Sequence, residues 1–494
     1  MISERSHHKP VNEPRFFKGG FETIRRQREE SVQMTTQITR RTGPSRARGA
    51  ASPSRVIRHQ TLVLVAFGAV VALTAWLRIP AVARDTLWAE DGRNFLQGAI
   101  NNGPLNSLFI PYAGYLHTIP RMIAASVVGL LPISDWALGM TAGSCVVAGI
   151  VAVTVFVASR GIIGWLPARI AIASLTVLAP LAPREVLGNT ANLHSLLLWA
   201  LFWIALSRPR TRASVVGLSV VALLGALTEV QSLFLLPLLL FRPRDRRRWP
   251  VRAMLLLGVV AQVAVTLAFP RPPSGHAPDD PLSIAYGYLI NAVMPLGVPQ
   301  GAIGSVLDAT GPGVGILLLI ALAGAAALGI RRGTATERVV VMALALGSVV
   351  IFCTSVVANP NIFYDYADMS PQQLAAAWLT RYGVVPSMML ASIPLISLGI
   401  AVATRRRNGN GLGDSRKAVL AVLSGLLLVS VVGQSFPQYT RRSSGPEWRP
   451  QLAAVSESCE TLPPGSRVLL LETLGWHVAV PCSRLRNDRP HPLR

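Results

Sequence analysis

Long apolar runs return along this chain from Gln60 to Gly433, and almost all the basic charge between them is arginine. A run that crosses roughly 30 Å of hydrocarbon has to satisfy its own backbone hydrogen bonds, which a helix does. Eleven such runs can be read: Gln60 to Leu77, Trp136 to Val157, Ile170 to Leu181, Leu193 to Leu206, Val215 to Leu227, Ser232 to Phe241, Met254 to Phe269, Val314 to Ile330, Val339 to Val357, Val384 to Ala403 and Val419 to Gly433. The length of 494 residues would otherwise allow about three soluble domains. Composition excludes that, because charged residues are 14% of the chain against roughly 25% in ordinary globular proteins, and apolar residues are 51%. The expected fold is an all-α polytopic membrane protein of about eleven transmembrane helices, with a small external α+β cap at the C-terminus.

The net charge of +23 would point to a nucleic-acid partner in a soluble chain. Its placement argues for a lipid bilayer instead. The segments Ser159 to Arg169, Arg208 to Ala213, Arg242 to Arg252, Arg331 to Arg338 and Arg405 to Lys417 hold 19 basic groups in 49 residues. The alternate segments, Arg78 to Asp135, Pro183 to Asn192, Pro270 to Pro312 and Ala358 to Gly383, hold 7 in 137. Basic residues of short loops collect on the cytoplasmic side. The expectation is therefore a multi-pass protein of the cytoplasmic membrane, N-terminus inside and C-terminus outside, with no nucleic-acid partner. Only Lys9, Lys18 and Lys417 are lysine, a bias typical of a GC-rich bacterial genome.

Residues 1–58 carry 13 basic groups and no apolar run, and read as a disordered cytoplasmic tail in which Met34 offers an alternative start. The transmembrane domain spans 59–434, its first external loop 78–135. Within that loop Pro120 to Pro132 is apolar but short, and reads as a helix lying along the outer face. Val215 to Phe241 reads as a hairpin of two short helices turning near Thr228 and Glu229, or else as one tilted helix. In the cap, 435–494, Trp448 to Glu457 reads as a helix and Arg467 to Glu472 and Trp476 to Pro481 as strands, with a turn at Pro463, Pro464 and Gly465. Cys459 and Cys482 flank the strands. In an oxidising exterior they would pair, the alternative being two free thiols.

Ionisable groups beside an apolar phase are the first candidates for function. The first loop reads R-D-T-L-W-A-E-D-G-R-N-F, with Glu90 and Asp91 adjacent, then P-Y-A-G-Y-L-H-T-I-P-R, with Tyr112, Tyr115, His117 and Arg121. Glu185, His194 and Glu229 lie in later turns, and Arg381 with Tyr382 opens the tenth span in L-T-R-Y-G-V-V-P. This arrangement resembles the GT-C superfamily of membrane glycosyltransferases, in which one span is followed by a long outer loop bearing an acidic pair and surface helices. Glu90 and Asp91 match the acidic pair. H-T-I-P, His117 to Pro120, is similar to the family's His-Pro-type stretch, and Glu185 to the acid of its second outer loop. The resemblance implies a polyprenyl-phosphate-linked sugar as donor and an envelope glycan or lipid as acceptor.

The chemistry is coherent with that resemblance. An acceptor hydroxyl needs a general base, here Asp91 with Glu90 in support, and a departing lipid phosphate needs a fixed cation, best supplied by Arg381. His117, Arg121, Glu185, Glu229 and Tyr382 are the further substrate-binding candidates. A divalent cation, Mg or Mn, on Glu90 and Asp91 is a further option. Each has a plainer reading: Asp91 as a helix cap, Arg381 as an interfacial anchor, Glu229 as a salt bridge within the bundle. HExxH, CxxC, GxxxxGK and GxSxG are all absent from the sequence. The expected function is sugar transfer outside the cytoplasmic membrane. The alternatives are a transporter or flippase for lipid-linked glycans and a non-enzymatic envelope assembly partner.

Overall fold

The computed structural model describes residues 53–272, 276, 280–377, 379–408, 414–436, 439–463 and 465–487. The chain divides into two compact units, Met1–Leu62 and Val63–Arg494. The tail expected over 1–58 falls outside the described residues as far as residue 52, and a helix, α1 (Pro53–Leu77), is already under way at Pro53. The second unit carries the helix bundle and the cap.

Among the described residues eight helical stretches are long and apolar enough to cross a membrane. They contain the later part of α1, α3 (Trp136–Ala158), α4 (Leu166–Leu178), α7 (Trp249–Ala268), α8 (Gly313–Arg332), α9 (Ala335–Val357), α10 (Val384–Asn408) and α11 (Asp414–Gly433). Shorter apolar helices are α2 (Thr118–Leu130), α5 (Leu193–Leu206) and α6 (Arg212–Ala226), followed by a 3-10 arm, Val230–Leu240. α4 begins four residues before the apolar run does, because Pro167 suits the first turn of a helix. α10 is the central post, apolar on every side, with α4, α5, α8, α9 and α11 packed around it. Small residues set the closest approaches. A Cβ on Gly149 of α3 would lie 2.5 Å from the Gly68 carbonyl of α1.

The chain between α6 and α7 resolves the choice left open by sequence. The helix stops at Leu227, Glu229 is extended, and the 3-10 arm starts at Val230. The 3-10 arm has its far end at the arginine-rich end of the bundle, where two buried guanidiniums hold that end and the end of α5. Arg248 donates to the carbonyls of Leu206 and Ser207, and Arg252 to those of Ala205, Leu239 and Phe241. These carbonyls end α5 and the 3-10 arm and have no partner within their own helices. The turn of the hairpin is tied at the opposite end, Thr118 donating from N–H and hydroxyl to the Leu227 carbonyl, and Ile119 N–H to Thr228 Oγ1.

At that opposite end the cap closes over the first loop. After α12 (Trp448–Ser456), strands β1 (Arg467–Leu471) and β2 (His477–Pro481) pair antiparallel, Leu469 opposite Ala479. Val468, Leu470, Val478 and Val480 point inward onto Trp448, Leu87, Trp88, Phe95 and Trp136, so cap and first loop share one core. Cys459 and Cys482 are bonded, with 5.3 Å between their Cα atoms.

Replacing Arg252 by Met keeps the apolar stem and removes the donors of one buried and two part-buried carbonyls. At roughly 1–3 kcal/mol for each buried group left unsatisfied, Arg252→Met should lower the melting midpoint of the detergent-solubilised protein by several degrees. The exposed Arg244→Met should leave it unchanged.

Candidate functional site

Asp91 opens a π-helical turn, Asp91–Leu96, and does not cap it. Its carboxylate reaches across to the second loop. Gly188, at φ +68, turns the chain so that Thr190 and Ala191 present their N–H groups to one point. Thr190 N–H donates to Oδ2 at 3.1 Å, the Thr190 hydroxyl to Oδ1 at 2.6 Å and Ala191 N–H to Oδ1 at 2.8 Å. Asp91 is 1% exposed. Burial pushes its carboxyl up to about 6, against the pull of those donors and of Arg442. Asp91, expected as the general base, has no oxygen free of these three donors and is almost fully buried. Nor does it act as a helix cap; it ties two loops together.

Glu90, its neighbour, is placed otherwise. It is half-buried, and its Oε2 is enclosed without a hydrogen-bond partner. Its charge is felt at Tyr112, Tyr115 and Arg381. Arg381 stands on a 3-10 turn, Arg381–Gly383, seated by Thr380 N–H donating to Asn291 Oδ1 at 2.7 Å. Its Nη1 is 3.2 Å from Glu185 Oε2, its guanidinium lies 5.2 Å from the centre of the Tyr382 ring, and Tyr364 meets that ring edge-on. Arg441, from the segment leading into the cap, holds the other oxygen of Glu185. Arg184 directly precedes Glu185 in the chain. Beside this cluster opens a cleft of about 260 Å³, lined by Arg184, Ile290, Gln300, Gly304, Leu374 and Leu379.

A third acid sits at the hairpin turn. Glu229 is 2% exposed, holds His194 Nδ1 at 2.6 Å and accepts the Gln231 N–H at 2.6 Å. Gln231 in turn donates to Thr354 and Ser355 of α9. Glu229 is thus engaged in a carboxylate–imidazole pair, the salt bridge within the bundle that its plainer reading expects.

Two of the expected residues, His117 and Arg121, are buried against aromatic rings. His117 is 3% exposed and layered on Tyr115 at 4.1 Å, with Phe95 and Tyr112 at 5.5 and 5.4 Å. Burial, helped by the charges of His194 and Arg121, pushes its imidazole down to about 3, so it is neutral. Arg121 is 2% exposed with its guanidinium 5.4 Å from the Phe95 ring centre, and its Nε and Nη1 have no partner. Its Nη1 lies against Gly98, where an added Cβ would come within 2.9 Å of it. The divalent cation considered for Glu90 and Asp91 does not fit this donor set, since the Asp91 oxygens already accept three hydrogen bonds. No cluster of three His, Cys, Asp or Glu suited to a metal occurs among the described residues.

Sequence reasoning missed Glu472 and Arg441. Glu472, at the end of β1, is 2% exposed and lies on the Gly92 backbone, where a Cβ would come within 2.2 Å of its Oε1. Burial, with Asp91 and Glu90 adding to it, pushes this carboxyl up to about 9. Arg441 stands in a tandem pair with Arg442, the one sequence cue available. Arg442 is buried and donates to the Thr86 and Leu187 carbonyls and to Thr141. No known protein family, characterised protein or solved structure matches the chain.

The Glu472 carboxyl has a folded pKa far above its unfolded one, so its contribution to stability is complete below about 4.5 and is lost as pH rises towards about 9. The melting midpoint should therefore fall between pH 6.5 and pH 8.5, a window above the Asp91 titration. Glu472→Gln should flatten that slope, which has an upper limit of about 1.4 kcal/mol per pH unit. A wild-type midpoint that is level or rising over this window would show that the carboxyl is already ionised.

Proposed function

We propose that the protein is an integral membrane glycosyltransferase of GT-C type, moving a sugar from a polyprenyl-phosphate donor to a cell-envelope acceptor on the outer side of the cytoplasmic membrane. One observation carries the reading: Glu90 keeps an enclosed, unpartnered carboxylate oxygen within electrostatic reach of Arg381, at one end of an apolar helix bundle. An unpartnered buried carboxylate oxygen is costly, and a substrate hydroxyl would satisfy it. Orientation rests on the arginine asymmetry of the loops. With α5, α6 and the 3-10 arm as short crossings beside the eight long stretches, the count is eleven.

In this mechanism Glu90 accepts the proton of the acceptor hydroxyl as its oxygen bonds to the anomeric carbon. The bond from that carbon to the phosphate oxygen breaks, and its electron pair leaves with the lipid phosphate. Arg381 neutralises that phosphate through its planar guanidinium. Glu185 and Arg441 aim Arg381, Tyr382 covers one face of it, and Asp91 positions the segment that carries Glu90. Transporters concentrate ionisable groups near the bilayer midplane. Here every Asp, Glu, Lys, Arg and His of the spanning helices lies within about two turns of a helix end, which favours the enzyme over the transporter.

The test is transfer from radiolabelled polyprenyl-phosphate sugars into acceptor, using membranes with and without the protein. Glu90→Gln should lower transfer by roughly a hundredfold to ten-thousandfold at unchanged abundance, the scale of a lost base. Arg381→Ala should raise the donor concentration needed for half-maximal transfer while leaving acceptor dependence alone. Asp91→Asn should reduce the amount of folded protein more than turnover per folded molecule. Activity of Glu90→Gln within a few-fold of wild type would sink the assignment.

A further inference from the structure

A second cavity lies far from the acids, towards the opposite end of the bundle. It is a groove of about 450 Å³ between α8 and α11, walled by Ala321, Gly324, Ala325, Leu328 and Arg331 of α8 and by Val419, Leu420 and Leu423 of α11. Both helices pack on α10, and their outward ridges are bare: Leu317 is 67% exposed, Ile320 61%, Val419 62% and Val422 59%. These ridges belong to a lipid-facing surface. A void there forfeits dispersion contacts along its whole wall, so hydrocarbon has reason to fill it.

Its depth and its mouth identify the occupant. From Ala321 to Arg331 the helix rises about 15 Å, at 1.5 Å per residue, which is half of the roughly 30 Å hydrocarbon thickness and so the depth of one leaflet. At the mouth α8 ends in Arg331 and Arg332, and the first turn of α11, which opens at Asp414, carries Arg416 and Lys417. Arg331, Arg332 and Arg416 have no hydrogen bond or ion pair among the described residues. Glu337, which opens α9, is engaged by the Thr334 N–H and hydroxyl. A partner helix would have to bring carboxylates to answer these cations; a lipid phosphate does so at the level where its chain enters the groove.

We propose that the groove seats one acyl chain of an anionic phospholipid whose headgroup phosphate is held by Arg331. The full chain, purified in detergent and stripped of lipid, is offered phosphatidylglycerol or phosphatidylcholine of identical chains, and bound lipid is counted by native mass spectrometry. Wild type should retain phosphatidylglycerol at least tenfold better than phosphatidylcholine. Arg331→Gln should shrink that preference below about threefold. Gly324→Leu should lower occupancy by both lipids, because a Cβ at Gly324 meets nothing within 4 Å and a larger side chain projects into the empty groove. Melting midpoints of the lipid-free variants, equal to that of wild type, would show that the fold is intact. Equal retention of the two lipids, an undiminished preference in Arg331→Gln, or a protein dimer abolished by Gly324→Leu in place of bound lipid would each overturn the proposal.

Discussion

The buried Asp91 carboxylate is the joint on which the candidate site depends. Three donors from Thr190 and Ala191 converge on it, and they come from a loop about a hundred residues further along the chain. A carboxylate at 1% exposure persists as an anion only where such donors replace water, and burial pushes this one up to about 6 against their pull. By locking the first loop onto the second, it places Glu90 on one side and Glu185, with the arginines that surround it, on the other. The same loop carries Asn192, whose side chain holds the Glu185 carbonyl at 2.8 Å.

The two ends of the bundle use arginine in opposite ways. Arg248 and Arg252 are spent on backbone carbonyls, Arg248 also pairing with Asp245, and gather the ends of α5 and the 3-10 arm. Arg381 and Arg441 share a single carboxylate, Glu185, with Arg184 adjacent in the chain, which leaves an excess of positive charge beside an open cleft. Charge-assisted bonds to carbonyls stabilise structure without specifying a partner, whereas a planar guanidinium matches carboxylate and phosphate oxygens in pairs. The cap belongs with this second end. It shares a core with the first loop and pushes Glu472 against Gly92, so a segment of soluble composition contributes to the electrostatics around the acidic pair.

Hydrophobic run length and arginine spacing together pointed to the helical bundle and the strands of the cap, because each depends on residues close in sequence, and left the break near Thr228 and Glu229 as one of two readings. The same local logic marked Glu90, Arg381 and Glu185 as candidates. It ranked Asp91 above Glu90 as the base. Neighbouring residues of one turn point in different directions, and only the docking of residues 188–192 decided which carboxylate is sealed and which is left facing the arginines. Likewise His117 and Arg121 look like site residues until the aromatic layer of Phe95, Tyr112 and Tyr115 closes on them. Glu472 lies nearly four hundred residues from Asp91. Its role arises wholly from the fold, since burial and the proximity of other charges are properties of packing, and one strand-end glutamate carries no trace of them in the sequence.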